Sequence, residues 1–74
     1  MEIFSERLRL LRKQRNLTQE KVAEGSKIPY RGYRGYETNE NNPGLENLIA
    51  IADFFNVTLD YLVGRADEPE RHKN

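Results

Sequence analysis

Ile28-Pro29-Tyr30-Arg31-Gly32-Tyr33-Arg34-Gly35-Tyr36-Glu37 is a short, basic, aromatic stretch with two glycines, set between segments of plain helical patterning. Taken alone, its doubled Arg-Gly-Tyr triplet suits a flexible nucleic-acid-binding tract. A helical reading puts Tyr33 and Tyr36 at i, i+3 as an inward stripe, with Arg31, Arg34 and Gly35 facing out together. Two interior glycines cost ~1 kcal/mol each relative to alanine, so only packing against the rest of the chain could hold such a helix. Which description applies depends on the flanks.

Upstream, Phe4, Leu8 and Leu11 follow the i, i+4, i+7 spacing of an amphipathic helix over residues 3–15, with Leu10 off the stripe. Arg12, Lys13 and Arg15 complement the dipole of its last turn, and Asn16 suits the left-handed residue that ends it. Leu17 returns to the core and Thr18 is an N-cap. A second helix runs from Gln19 to Gly25 with Val22 and Ala23 inward, and Gly25-Ser26-Lys27 breaks it. Ile28 anchors the connection. Pro29, with a fixed φ and no N–H, fits the start of a third helix from Tyr30 to about Thr38.

Downstream, Asn39-Glu40-Asn41-Asn42-Pro43-Gly44 is turn-rich. Leu45, Leu48, Ile51, Ala52 and Phe55 form the inward face of a fourth helix closed by Asn56. Val57 is apolar, Thr58 caps a fifth helix from Leu59 to Val63, and Gly64 ends it. Residues 66–74 are charged and apolar-poor, the composition of a flexible tail. The expectation is an all-α domain of five short helices over residues 1–65.

Seventy-four residues allow one small domain, whose core supplies only ~3–5 kcal/mol of stability. With no cysteine and a single histidine, His72, near the end, neither a disulfide framework nor a metal site is expected. No apolar run approaches the ~20 residues of a membrane-spanning helix, and no signal-peptide core is present, so a soluble cytoplasmic protein is expected. The same shortages, together with the lack of a P-loop-type glycine motif, argue against an enzyme, and no cofactor is expected. Net charge is zero, but residues 1–34 carry nine Lys/Arg against four Asp/Glu while residues 35–74 carry three against eight. Such asymmetry hints at an electrostatic binding face.

The series Thr18-Gln19-Glu20, Val22-Ala23, Ile28, Tyr33, Tyr36-Glu37, Asn42-Pro43, Leu45-Glu46-Asn47-Leu48 and Ala52, closed by residues 51–65, resembles the lambda-repressor-like helix-turn-helix family, the Cro/XRE-type regulators of bacteria and phages. The resemblance spans roughly residues 3–65 without gaps. It implies that the second helix crosses a DNA backbone and the third lies in the major groove. Tyr30, Arg31, Arg34 and Gly35 then fall at base-contacting positions. Thr18, Gln19, Lys27, Asn39 and Asn41 are candidates for backbone contacts. Ala23 would sit where the two helices approach, and Arg12 and Glu37 would form an ion pair between the first and third helices. A homodimer on a palindromic operator follows from the same likeness, with Leu59, Tyr61 and Val63 as candidate contacts.

The chain departs from the family pattern in the turn and in the third helix. Lys27 replaces the usual glycine, Ser26 an apolar residue and Pro29 a Ser/Thr cap, while Gly32 and Gly35 replace side chains. Gly35 leaves either a gap in base readout or room for the backbone to approach DNA. A module of another class, keeping the fold but docking protein in the manner of an antitoxin or adaptor, is the alternative that zero net charge favours.

Overall fold

The computed structural model describes residues 1–71. Five helices follow in order: α1 Glu2–Gln14, α2 Gln19–Ser26, α3 Tyr30–Glu37, α4 Leu45–Phe55 and α5 Leu59–Leu62, with no strand among the described residues. No helix is long and apolar enough to cross a membrane. The stretch that carries the doubled triplet is therefore helical.

One local device ends the helices. Asn16, Lys27, Asn39 and Asn56 all have φ between 54° and 63°. The amide of the next residue then donates to a carbonyl five positions back: Leu17 to Arg12, Ile28 to Ala23, Glu40 to Gly35 and Val57 to Ala52. This is the Schellman pattern, which satisfies carbonyls the last helical turn leaves free. In three of the four cases the next residue is apolar and packs inward: Leu17 half-buried, Ile28 and Val57 buried. The following residue caps a new helix. Thr18 Oγ1 accepts from Lys21 N at 3.1 Å and Thr58 Oγ1 from Tyr61 N at 3.0 Å. Pro29 stands at the start of α3 without a side-chain cap. Lys27 thus takes the left-handed conformation that a glycine usually supplies, with φ 58°.

The core is assembled from one face of each helix: Phe4, Leu8 and Leu11 of α1, Val22 and Ala23 of α2, Tyr33 and Tyr36 of α3, Ile51, Ala52 and Phe55 of α4, and Tyr61 and Leu62 of α5. The α2 helix packs on α3 and α4, while α1 packs on α3 and α5. The Phe4 and Tyr36 rings meet edge to face at 6.3 Å. This arrangement holds α3 from behind and leaves its other side open.

Four sequence expectations need correction. Leu45, assigned inward by periodicity, is 68% exposed, so no other segment packs over it. The α2 helix does not break at Gly25 but continues through Ser26 to the left-handed Lys27. A Cβ at Gly25 would overlap Phe54 Cε1 and stand 2.7 Å from Cδ1, so this glycine provides clearance for the α2–α4 packing. Tyr61, expected on a dimer surface, is 8% exposed, with the Arg7 guanidinium 4.3 Å above its ring. Residues 66–71, expected as a loose tail, carry hydrogen bonds to the domain: Arg7 donates to Ala66 O at 2.6 Å, Thr58 N to Pro69 O at 3.2 Å, and Arg71 Nε to Val57 O at 2.9 Å. Residues 72–74 lie outside the described part.

Ser26, at a position the family fills with an apolar side chain, is 5% exposed, and its hydroxyl is the one buried side-chain polar atom without a partner among the described residues. An unpaired buried hydroxyl is costly, so Ser26→Ala should raise stability by about 1 kcal/mol. Gly32, where a Cβ would meet nothing within 4 Å, should gain ~0.5–1 kcal/mol on replacement by alanine. Gly25→Ala should lose ~1–3 kcal/mol through overpacking against Phe54. Urea denaturation of the three variants measures all of these effects.

Candidate nucleic-acid interface

The inner side of α3 is committed to a polar network around Glu37. Its carboxylate is 2% exposed. Arg12 Nε donates to Oε2 at 2.7 Å and Arg12 Nη2 to Oε1 at 3.0 Å, the two-pronged geometry that makes guanidinium–carboxylate pairs strong. Gln19 Nε2 donates to Oε1 at 3.1 Å, and the Tyr33 hydroxyl donates to Oε2. Arg12 Nη1 also donates to Leu17 O at 3.1 Å. One carboxylate thereby joins α1, α2, the α1–α2 turn and α3.

Burial by itself would raise the Glu37 pKa. The hydrogen bonds from Arg12, Tyr33 and Gln19 outweigh it and hold the group below its ordinary value. The same bond raises Arg12 against the opposing effect of burial. Tyr33 is pushed far above the usual phenol range, first by burial and then by the carboxylate beside it.

The end of α3 is fixed as well. Ser5 Oγ donates to Tyr36 O at 2.6 Å, and Arg9 Nη1 donates to Glu37 O. Neither residue stood out in the sequence, yet a signal was present. Ser5, Arg9 and Arg12 repeat the i, i+4, i+7 spacing of Phe4, Leu8 and Leu11 one residue out of step. A polar stripe thus runs beside the apolar one and grips the last turn of α3. Tyr33 turns its hydroxyl inward to Glu37. Tyr36 does reach outward enough for its hydroxyl to accept from Asn47 Nδ2 at 2.9 Å.

The outer side of α3 is free of such commitments. Tyr30, Arg31 and Arg34 are exposed, and among the described residues neither arginine forms a hydrogen bond or ion pair. The Arg34 guanidinium lies 5.6 Å from the Tyr30 ring centroid, a cation–π spacing that gives it a preferred direction. Lys27 is exposed in the turn before α3. Asn39 and Asn42 accept from the Met1 amino group at 2.9 and 2.8 Å. Thr18 is occupied as a cap, and Gln19 is partly occupied by Glu37. Gly35 is not an open surface position: it is buried, and the Asn41 side chain lies over it. Leu59 on α5 and Val63 just after it remain at the surface, exposed and half-buried respectively, whereas Tyr61 does not. No His/Cys/Asp/Glu group among the described residues could hold a metal ion.

Comparison with known proteins gives this geometry its family. The family model described as helix-turn-helix matches residues 8–62. The chain belongs to the Cro/XRE-type helix-turn-helix family. It is 38% identical over 68 residues to the Bacillus subtilis HTH-type transcriptional regulator YobD, covering 92% of this chain and 61% of that protein. It is 42% identical over 62 residues to the cryptic phage CTXphi transcriptional repressor RstR of Vibrio cholerae, covering 84% and 55%. The crystal structure of a transcriptional regulator from Listeria innocua superimposes with a TM-score of 0.77 at 34% identity, over 88% of this chain and 61% of that one. The chain thus spans about three-fifths or less of each relative.

In helix-turn-helix terms, α2 and α3 are the motif and Glu37 is the residue that binds them to α1. Removing its side chain takes the counter-ion from the largely covered Arg12 guanidinium, so Glu37→Ala should cost ~3–5 kcal/mol, comparable to the whole stability expected of so small a domain. Because the folded-state pKa of Glu37 is lowered, its contribution is complete above the ordinary carboxylate range. It is lost as pH falls below that range and through the lowered value. Stability of the wild type should therefore fall as pH drops below the ordinary carboxylate value of 4.5, while Glu37→Gln shows a flatter acid limb. Chemical denaturation across that range checks this; parallel acid limbs would contradict it.

Proposed function

We propose that this helix-turn-helix chain is a sequence-specific double-stranded DNA-binding transcriptional regulator acting as a repressor, with α3 inserted into the major groove. The observation that carries this reading is the division of α3. Tyr33, Tyr36 and Glu37 are spent on the fold, while the Arg31 and Arg34 guanidinium groups stand exposed on the other side with no hydrogen-bond or ion-pair partner among the described residues, and Tyr30 is exposed beside Arg34. Arginine can give two parallel hydrogen bonds to guanine O6 and N7, each such pair contributing ~1–3 kcal/mol of base discrimination. Lys27 before α3 and the N-terminus of α2 at Gln19 suit phosphate contacts. Such contacts set register without reading sequence.

A single module of this size buries a small interface with DNA, and two-fold dimers gain affinity by engaging half-sites about one helical turn apart. Leu59 on α5 and Val63 just after it are the self-contacts this reading retains, so the protein acts as a homodimer on a palindromic operator, in the cytoplasm. Beyond the zero net charge, a protein-docking role is favoured by the exposed pair Leu45 and Ile49 one turn apart on α4, at 68% and 41% exposure. The clear outer face of α3 favours DNA.

Selection of bound duplexes from a random pool at two salt concentrations tests the proposal. Affinity should fall steeply with salt as phosphate contacts release counterions. Arg31→Ala should cost ~1–3 kcal/mol and relax preference at one base pair. Lys27→Ala should weaken all sequences alike and lower the salt slope by about one. Equal binding to every duplex would refute specific readout.

A further inference from the structure

Gly35 lies one helical turn beyond Arg31, on the row of α3 that carries the base-contacting positions. A glycine there presents no side chain to the groove. The space is nevertheless filled. A Cβ built on Gly35 would collide with Asn41 Nδ2, stand 2.9 Å from Asn41 Cγ and 3.3 Å from Asn41 Cβ. The carboxamide of Asn41 therefore occupies the volume that a side chain at position 35 would take. It arrives from the α3–α4 loop rather than from the helix.

The loop is built to put it there. Gly35 O accepts from Asn41 N at 3.1 Å and from Glu40 N at 3.0 Å, so the chain folds back onto the last turn of α3. The left-handed Asn39, with φ 63°, makes that reversal. Thr38 Oγ1 donates to Glu40 Oε1 at 2.7 Å, which engages that carboxylate. The Asn41 side chain itself makes no hydrogen bond among the described residues and is exposed. It borders an open notch lined by Arg31, Arg34, Gly35, Thr38 and Glu40. Within that notch the Asn41 amide is the one neutral group offering a donor and an acceptor side by side.

We propose that Asn41 is a base-reading residue. It stands in for the side chain that Gly35 lacks, and its amide takes the N6 and N7 edge of an adenine in the major groove. The chemistry is the matched donor–acceptor pair that asparagine shares with adenine. Four residues of helix separate positions 31 and 35 by about 6 Å. The adenine therefore lies within about two base steps of the guanine taken by Arg31, given about 3.4 Å per step. Gly35 is required because any Cβ would displace the amide, and Asn41 is required because nothing else fills the gap. This assignment rests on the proposal that α3 enters the major groove.

Random-pool selection with the full chain, its Asn41→Ala variant and its Gly35→Ala variant tests it, with thermal melting of each variant as the check on folding. A colliding atom at the far end of a flexible side chain can rotate away, so Gly35→Ala should melt no lower than the wild type. The wild type should select a motif with one adenine position per half-site near the guanine that Arg31→Ala relaxes. Both Asn41→Ala and Gly35→Ala should keep the rest of the motif and lose roughly 5- to 150-fold of discrimination at that adenine alone. An Asn41→Ala variant that weakens every duplex equally, with an unchanged motif, would make Asn41 a phosphate contact and overturn the assignment. Retention of the adenine preference in either variant would also overturn it, while leaving the reading by Arg31 intact. Failure of the wild type to select any motif would instead remove the major-groove reading and the assignment with it.

Discussion

A carboxylate removed from water must be compensated on every side or the domain does not hold, and Glu37 is placed where three helices can do so. Arg12 comes from α1, Gln19 from the first turn of α2 and Tyr33 from one turn earlier on α3. A chain this small cannot orient an eight-residue helix with two glycines by apolar contact alone, because its core is limited and its helical propensity poor. The directional bonds to Glu37, with those from Ser5 and Arg9 to the last carbonyls, give α3 one orientation about its own axis. That orientation decides which residues face outward.

The division of α3 follows from this constraint. Once Tyr33, Tyr36 and Glu37 are turned inward, the 100° step of the helix leaves Arg31 and Arg34 on the outer side, while Tyr30, on the row of Tyr33 and Glu37, is exposed at the first turn. The same step brings Gly35 beneath the returning loop. Electrostatic asymmetry acts on this frame, since the excess of Lys/Arg in residues 1–34 includes Lys27, Arg31 and Arg34. Other cations of that half serve the fold: Arg7 binds carbonyls of Tyr61 and Ala66, Arg12 binds Glu37, and Arg15 donates to Phe55 O at 2.9 Å. Charge counting therefore overstated the binding face, because it cannot separate arginines that tie helices together from those left free.

Much of the fold was legible because its signals are local. The left-handed Asn16 and Asn56, the capping Thr18 and Thr58 and the apolar spacing of α1 mark helix ends and faces within a few residues of where they act. The Arg12–Glu37 pair was legible only through family resemblance, since the partners are 25 positions apart. Leu45 was misread because periodicity gives a direction without saying whether anything lies that way. Tyr61 was misread because the residue that covers it, Arg7, is distant in sequence. The bond from the Tyr33 hydroxyl to Glu37 was missed for a different reason. The i, i+4 spacing was visible, but no local rule says that the carboxylate is buried.

The chain by itself determined five helices, their bounds to within a residue or two, and an aromatic inward stripe on the third. Short-range hydrogen bonding and backbone conformation set these features, and both depend on neighbouring residue types. Only the tertiary structure decided that Glu37 is the shared acceptor, that Gly25 clears Phe54, and that Gly35 lies beneath Asn41. These are contacts between segments that meet only after packing. A glycine in a sequence records a missing side chain, whereas the atom that fills its place comes from elsewhere in the fold.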